Sequence, residues 1–560
     1  MSDALRGYVE TRGRTALPAL AIRRWVSERG APDADGVRRL AADTGLPEAS
    51  VRAVVSYYDD LRADPAALRV CRGTSCALAG AGDLERRLAA EKPCRGVFCL
   101  GYCDHSPVVL RADGRVVTRC VDRPSEELLG DDAPPAPTPV VRCLAPEPVV
   151  TRRLLQGDAS NLNRARFLGA YGALEHALAS GPKAVLDEME RSGERGRGGA
   201  GFPTARKWRL AAAAPGPLKY VVANGDEGDP GSFVDRVLME HDPHAVIEGV
   251  LICAFAVGAR EAVVFVRSEY PRAAAVMEAA IGAARAAGIL GSSVMGSDFA
   301  CDVTVFPALG SYVCGEETAL LNAIEGFRGE VRLRPPYPVE AGLYGRPTVV
   351  NNVETLVNVP WIVGRGAGAY AALGTGASPG TKVLCLNHGF TLPGLYEVEH
   401  GIPLEQVLEA ADGAADGHGL AALAVGGPMG SLVFPEDWDV PVCHAAMRER
   451  GLELGHGGIV AIPEDADPAA LLVHWLELMQ HESCGRCVPC RIGSQRALEL
   501  ARHAADGDLD GDGRERLGRL LEVMTDASLC AFGRNTPRPM KQIVERFGDR
   551  IFGRRTGGSA

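Results

Sequence analysis

Apolar residues between Leu17 and Leu61 recur at three- and four-residue spacing, and ALPALAIRRWVSERG, DADGVRRLAADTG and LPEASVRAVVSYYDDL predict three short helices. Gly30 and Gly45 break the run, and Asp33 or Asp35 and Pro47 supply start signals, so this part reads as a small helical bundle. From Leu68 the pattern shortens to strands and turns. LRVCRGTSC and GVFCLGYCDHSP flank a helix around DLERRLAAE, and VVLRADGRVV predicts a hairpin turning at Asp113 and Gly114. Residues 131 to 148, DDAPPAPTPVVRCLAPEP, are rich in proline and predict a linker.

From about 150 to 365, strands, glycine loops and helices alternate: KYVVAN, EAVVFVR before RAAAVMEAAIGAARAAG, and CDVTVFPALGSYVCGEE running into TALLNAIEG. Such alternation predicts a largely parallel sheet with ligands at the carboxyl ends of its strands. A β-rich module follows from about 375 to 436, and from Pro468 the chain reads as helical. No repeat of solenoid type is present.

At 560 residues the chain exceeds one hydrophobic core, so several domains are expected. Its net charge of -11 argues against general binding to nucleic acid or anionic membranes and leaves any anionic ligand to be met by a local basic pocket. LAADTGLPEASVRAVV has a helix-turn-helix look. However, residues 1 to 70 hold 11 Lys and Arg against 10 Asp and Glu, too even for a phosphate-binding module. The N-terminal MSDALRGYVETRGR has no apolar signal region, and the most hydrophobic stretch, VIEGVLICAFAVGA, carries Glu248 and is too short to span a bilayer. A cytoplasmic chain is expected. There, 16 cysteines argue for metal or redox use of the clustered ones, and the scattered Cys94, Cys120, Cys143, Cys253, Cys301, Cys314, Cys385 and Cys443 read as buried apolar thiols.

Two cysteine clusters carry chemistry. Cys484, Cys487 and Cys490 are spaced C-x2-C-x2-C and Cys530 follows 40 residues later. Three close thiolates with one distant suit a [4Fe-4S] cubane, with tetrahedral zinc as the alternative. Cys71 and Cys76 pair with Cys99 and Cys103, which suits a [2Fe-2S] rhomb or, on spacing alone, zinc. In RSGERGRGGAGFPTARKW, Gly193, Gly196, Gly198, Gly199 and Gly201 let backbone N–H groups approach a phosphate or flat ring, with Arg195, Arg197, Arg206 and Lys207 supplying charge. The plain alternative is a surface loop, against which Phe202, Pro203 and Trp208 stand. Asp226, Glu227 and Asp229, and Glu316 and Glu317, follow strands. Carboxylates repel phosphate, so ribose or ribityl hydroxyls, a carboxamide or a hard cation are their partners. Asn351 and Asn352 suit phosphate or flavin edges, or a helix cap.

GRGGAGFPT, NGDEGDPGSF, YVCGEETALLNAIEG, RPPYP, PTVVNNVETL, ESCGRCVPCR and SLCAFG, in this order over about 150 to 550, resemble the NADH-binding flavoprotein subunit of respiratory complex I. They look equally like the diaphorase subunits of NAD-dependent formate dehydrogenases and NAD-reducing hydrogenases. Residues 1 to about 130 are similar to the thioredoxin-like [2Fe-2S] small subunit, here fused. The resemblance implies that Gly196, Arg197, Gly198, Gly199, Gly201, Lys207, Asn224, Asp226, Tyr312, Gly315, Glu316, Asn351 and Asn352 hold FMN, with Glu227 beside them. It implies that Phe202, Asp229, Glu317, Arg334 and Tyr337 line the NADH face, that Cys484, Cys487, Cys490 and Cys530 bind [4Fe-4S], and that Cys71, Cys76, Cys99 and Cys103 bind [2Fe-2S].

The implied fold class is α/β multidomain: a helical bundle (1–66), a thioredoxin-like domain (67–130), the linker (131–150), a Rossmann-like FMN and NADH domain (151–370), a β-grasp-like module (371–452) and a helical [4Fe-4S] domain (453–556). NADH gives up two electrons and a cluster takes one, so a flavin stands between them, and the protein supplies stacking and orientation rather than an acid–base side chain. Asp229 stands where respiratory enzymes usually have Glu, which with RPPYP and the fusion leans toward a formate dehydrogenase or hydrogenase, with a complex I input subunit as the alternative. The rival of another class is a non-catalytic zinc or DNA-binding scaffold.

Overall fold

The computed structural model describes residues 18–121, 123–130, 134–417, 419–509 and 512–553; the segment MSDALRGYVETRGR lies outside them. The three expected helices form at Pro18–Arg29, Ala34–Thr44 and Glu48–Tyr57. The Asp33 carboxylate caps the second by accepting the Gly36 N–H at 2.8 Å, and Gly45 ends it in the left-handed region at φ 67°. Leu68–Cys71 then pairs parallel with Cys94–Val97 and antiparallel with Val108–Leu110, which hairpins to Val116–Thr118. This four-stranded sheet carries the first cysteine set at its ends.

The central sheet is wholly parallel, in the order Asp302–Pro307, Glu261–Val266, Tyr220–Gly225, Thr348–Asn352. Its strands are apolar on both faces because both are covered. Val221, Ala223, Val264 and Val349 share a core with the helix Pro243–Val257, while Tyr220, Val222, Val263, Phe265 and Val350 share one with Ile22, Val26, Val37 and Val51 of the N-terminal helices. The hydrophobic stretch around Glu248 is that buried helix. Glu248 accepts the Ala173 and Leu174 N–H groups at 3.1 and 3.3 Å and faces Arg153 at 3.8 Å. A Cβ at Gly249 would stand 2.0 Å from the Leu356 carbonyl oxygen, so glycine is what lets this helix touch Val353–Arg365.

A six-stranded mixed sheet follows, in the order Ser431–Val433, Leu420–Val425, Gly458–Pro463, Thr381–Leu386, Gly394–Glu399, Val141–Cys143. Two expected boundaries shift here. Gly458–Pro463, inside the span 453–556 that the resemblance implies for the helical [4Fe-4S] domain, is a central strand hydrogen-bonded to both neighbours. Val141–Cys143, read as linker because of its prolines, adds a parallel edge strand to Gly394–Glu399, a position where proline neighbours cost no ladder bond. The remainder is helical: Pro468–Glu482, Val488–Ala505, Gly513–Ala527, Ala531–Asn535 and Pro537–Phe552. Among the described residues no helix is long and apolar enough to cross a membrane.

Candidate functional site

Tyr220–Gly225 and Thr348–Asn352 are adjacent, but the chain runs outward from the first through two further strands before returning to the second. Their carboxyl ends therefore form a switch point. The loop Gly196–Gly201 lies against this point. It closes on itself through the Gly196 N–H and Phe202 carbonyl at 2.9 Å, and the Arg197 N–H donates to Thr355 Oγ1 at 2.8 Å. Side chains would be crowded at two of its glycines: a Cβ at Gly198 would stand 3.0 Å from Asn352 Cβ, and one at Gly201, whose φ is 62°, 3.0 Å from the His444 ring.

The asparagines hold the cradle's walls. Asn351 Oδ1 accepts the Trp208 indole N–H at 2.9 Å, and Asn352 Oδ1 caps the helix Val353–Arg365 at Thr355 N–H, 3.2 Å. Asn224 donates to the Gly315 carbonyl at 2.9 Å and accepts the Asp226 N–H at 3.1 Å, joining two strand-end loops. Asp226 Oδ2 is buried without a partner among the described residues, and burial, partly offset by Arg267, holds its carboxyl well above the usual range. A buried carboxyl with an unmet oxygen at the strand ends that the glycine-rich loop covers fits a ligand bearing hydroxyl groups, as a ribityl chain does.

Arg197 does not supply charge to this cradle. Its guanidinium is buried among His400, the Tyr370 hydroxyl and the Pro379 carbonyl (3.0 Å), with Glu194 at 3.7 Å, because a fixed cation out of water needs its donors met. Lys207 remains at the cradle, donating to the Val350 carbonyl at 2.9 Å and Glu317 at 3.2 Å. Glu316 caps the helix Glu317–Ile324 by accepting the Thr318 and Ala319 N–H groups at 2.9 and 3.0 Å, and Arg334 reaches both Glu316 and, at 2.9 Å, Glu317. Phe202 and Tyr337 are 41 % and 53 % exposed. Tyr312 donates its hydroxyl to Asp229 and its N–H to Glu482 at 2.8 Å, tying this loop to the end of the helix before Cys484.

Sequence reasoning missed His456, Asp235, Glu354 and Lys382. His456 Nε2 lies 3.1 Å from Asp235 Oδ2 and Nδ1 3.8 Å from Glu227 Oε1, all buried. These three could face a cation, yet each carboxylate oxygen already has a partner: Glu227 accepts the Asp235 and Arg236 N–H groups at 3.1 and 3.0 Å, and Asp235 accepts the Glu354 N–H at 3.0 Å and the Asn352 amide at 2.5 Å. Burial pushes Glu227 up to about 8, reinforced by Asp235. Lys382 and Glu354 form a fully buried ion pair beside them. Only His456 carried a signal, as a polar ring inside the glycine run LGHGG.

Both thiol sets come together. Cys71, Cys76, Cys99 and Cys103 are 1 % exposed, with Cys99 and Cys103 sulfurs 3.5 Å apart. Cys71 Sγ accepts the Gly73 and Leu100 N–H groups at 3.4 Å and Cys99 Sγ the Gly101 N–H at 3.3 Å, contacts that suit thiolates bound to a metal cluster. Cys94 lies apart at the start of its strand, half-buried near Glu85. In the second set Cys487 and Cys530 precede the helices Val488–Ala505 and Ala531–Asn535. Burial pushes Cys490 up to about 12, with Cys487, Cys530 and Cys484 acting the same way against a hydrogen bond to Ser483. Of the scattered thiols, Cys143 is half-buried like Cys94, and Cys120, Cys253, Cys301, Cys314, Cys385 and Cys443 are buried.

A ligand cradle at the switch point of a parallel sheet, joined to two four-thiol sets, defines an iron–sulfur oxidoreductase. Residues 189–361 match the Nuo51 FMN-binding domain, 470–553 the NADH-ubiquinone oxidoreductase-F iron-sulfur binding region, and 16–131 the thioredoxin-like [2Fe-2S] ferredoxin. The NADP-reducing hydrogenase subunit HndC of Solidesulfovibrio fructosivorans is 38 % identical over 71 % of this chain and 81 % of its own. The F 2 subunit of the NADH-quinone oxidoreductase of Rhizobium meliloti is 38 % identical over 72 % and 96 %. A crystal structure of NAD+-reducing [NiFe]-hydrogenase has a chain that superposes with a TM-score of 0.83 and 31 % identity, covering 97 % of this chain and 94 % of that one.

The chain belongs to the family of NADH-quinone oxidoreductase F subunits and their hydrogenase counterparts. It is an NADH dehydrogenase module carrying FMN, [4Fe-4S] and [2Fe-2S] groups.

Proposed function

We propose that the chain exchanges electrons between NAD(H) and the catalytic subunits of a cytoplasmic NAD-reducing hydrogenase or NAD-dependent formate dehydrogenase. The span of the likeness supports this: a chain of an NAD+-reducing hydrogenase superposes over 97 % of the molecule, fused N-terminal unit included, and the hydrogenase subunit HndC is 38 % identical over 71 % of it. The input subunit of a quinone-reducing complex is the second reading, favoured by full-length coverage of 96 % of such a relative. We read the parts as helical bundle, thioredoxin-like domain, Rossmann-like domain, β-grasp-like module and helical [4Fe-4S] domain.

In this reading the Gly196–Gly201 loop, Lys207, Asn224, Asp226, Tyr312, Gly315, Glu316, Asn351 and Asn352 hold FMN. Phe202, Asp229, Glu317, Arg334 and Tyr337 line the nicotinamide side, and Glu227 supports from behind. Bound there, FMN supplies the conversion between paired and single electrons. The protein's part is to orient both rings and to place the exit: Tyr312 packs on Phe532, two residues past Cys530, at 5.4 Å between ring centres. Cys487 is the half-buried member of its set, and Val488 and Ile492, one helical turn apart, are exposed beside it, which suits a docking partner.

The flavin-loaded chain is expected to bleach with NADH, and hydrogen or formate is expected to reduce NAD+ only with the co-purifying subunits. C487S should keep the bleaching and lose the [4Fe-4S] electron paramagnetic resonance signal. A flavin-loaded chain that NADH leaves oxidised would sink the proposal.

A further inference from the structure

We propose that His456 is a positioning residue for the flavin, whose protonation decides whether the second N–H of Asn352 is kept inside the protein or offered to the bound group. This rests on the reading that Asn352 faces FMN.

His456 is buried on the turn between Gly455 and Gly457, directly behind the glycine loop: a Cβ at Gly199 would stand 3.6 Å from its backbone nitrogen. Its Nδ1 meets Ser232 Oγ at 2.8 Å. Its Nε2 has two competing neighbours, Asp235 Oδ2 at 3.1 Å and Asn352 Nδ2 at 3.2 Å. Asn352 already gives one N–H to Asp235. A protonated Nε2 donates to Asp235 and repels the other Asn352 N–H, whereas a bare Nε2 accepts it. The cap to Thr355 keeps the Asn352 backbone in place, so a small turn of its carboxamide is all that this switch requires.

The charged groups around the ring come from every neighbouring element. Asp235 stands on Val234–His241, Glu227 and Asp229 on the loop after Tyr220–Gly225, and Lys382 on Thr381–Leu386, paired with Glu354 on Val353–Arg365. Burial and Lys382 disfavour a charged ring, but Asp235 and Glu227 prevail and hold it up to about 9. Around neutrality the ring is charged, so Nε2 cannot accept the second Asn352 N–H.

The test is FMN rebinding to the flavin-stripped full chain, followed by fluorescence quenching from about pH 7 to about pH 10. Wild type should lose about tenfold affinity as the imidazole discharges. H456Q should bind about tenfold more weakly near neutrality and lose the step near 9, keeping only the titrations of the flavin and of Glu227. D235N should move the wild-type midpoint downward. Parallel curves for wild type and H456Q, or an H456Q affinity equal to wild type, overturn the proposal. If H456Q lacks its iron–sulfur absorbance, D235N decides, and an unmoved midpoint overturns it. Wild-type protein that binds no FMN, or N352A that binds it unchanged, refutes instead the site reading beneath.

Discussion

Gly201 shows how one residue is held by two constraints at once. Its φ of 62° favours glycine, and a methyl group would press on the His444 ring at 3.0 Å. G201A is therefore expected to weaken FMN binding by about 1–2 kcal/mol, roughly tenfold, in an equilibrium titration, with little change in melting temperature. The loop was legible because glycine spacing is a local signal. Arg197 was misread for the opposite reason: its partners His400, Tyr370 and Pro379 lie far along the chain, and nothing in GRGGAG announces them. The same distance hid Asp235 and Lys382.

Helices and strands were legible wherever a period persisted, as in the three N-terminal helices and the parallel strands. How elements dock was not, since docking depends on single contacts. Asp60, just past the third helix, accepts the Gly310 N–H at 3.1 Å and faces Arg95 and, at 3.8 Å, Arg69, so it joins three units. Burial alone would raise its pKa; Arg69 and Arg95 outweigh burial and bring it to about 2. A depressed carboxylate stabilises the fold above its unfolded value of about 4, and that contribution of about 2 kcal/mol is lost as pH falls toward 2. D60N should flatten this acid limb in thermal melts. Between helices, G249A would drive a Cβ toward the Leu356 carbonyl and is expected to cost about 1–3 kcal/mol, read as a lowered denaturant midpoint.

At the scale of the molecule, the N-terminal unit serves as a wall of the core as well as an appendage carrying thiols. Tyr57 donates to the Gly329 carbonyl at 2.7 Å and Tyr58 to that of Phe327 at 3.1 Å, and the apolar face of Tyr220, Val222, Val263 and Phe265 shares their core. A chain beginning at residue 134 should expose that face and aggregate in light scattering, and adding residues 1–133 as a separate chain should restore a monodisperse species. The edge strand Val141–Cys143 then has a consequence for rates. It clips the chain to the Gly394–Glu399 strand, leaving a tether from Gly130 to Val141 that can span at most about 40 Å. A unit that breathes away stays within millimolar effective concentration of its seat. Dilution, which empties a two-subunit version, leaves this one intact, so turnover per molecule should not change with protein concentration.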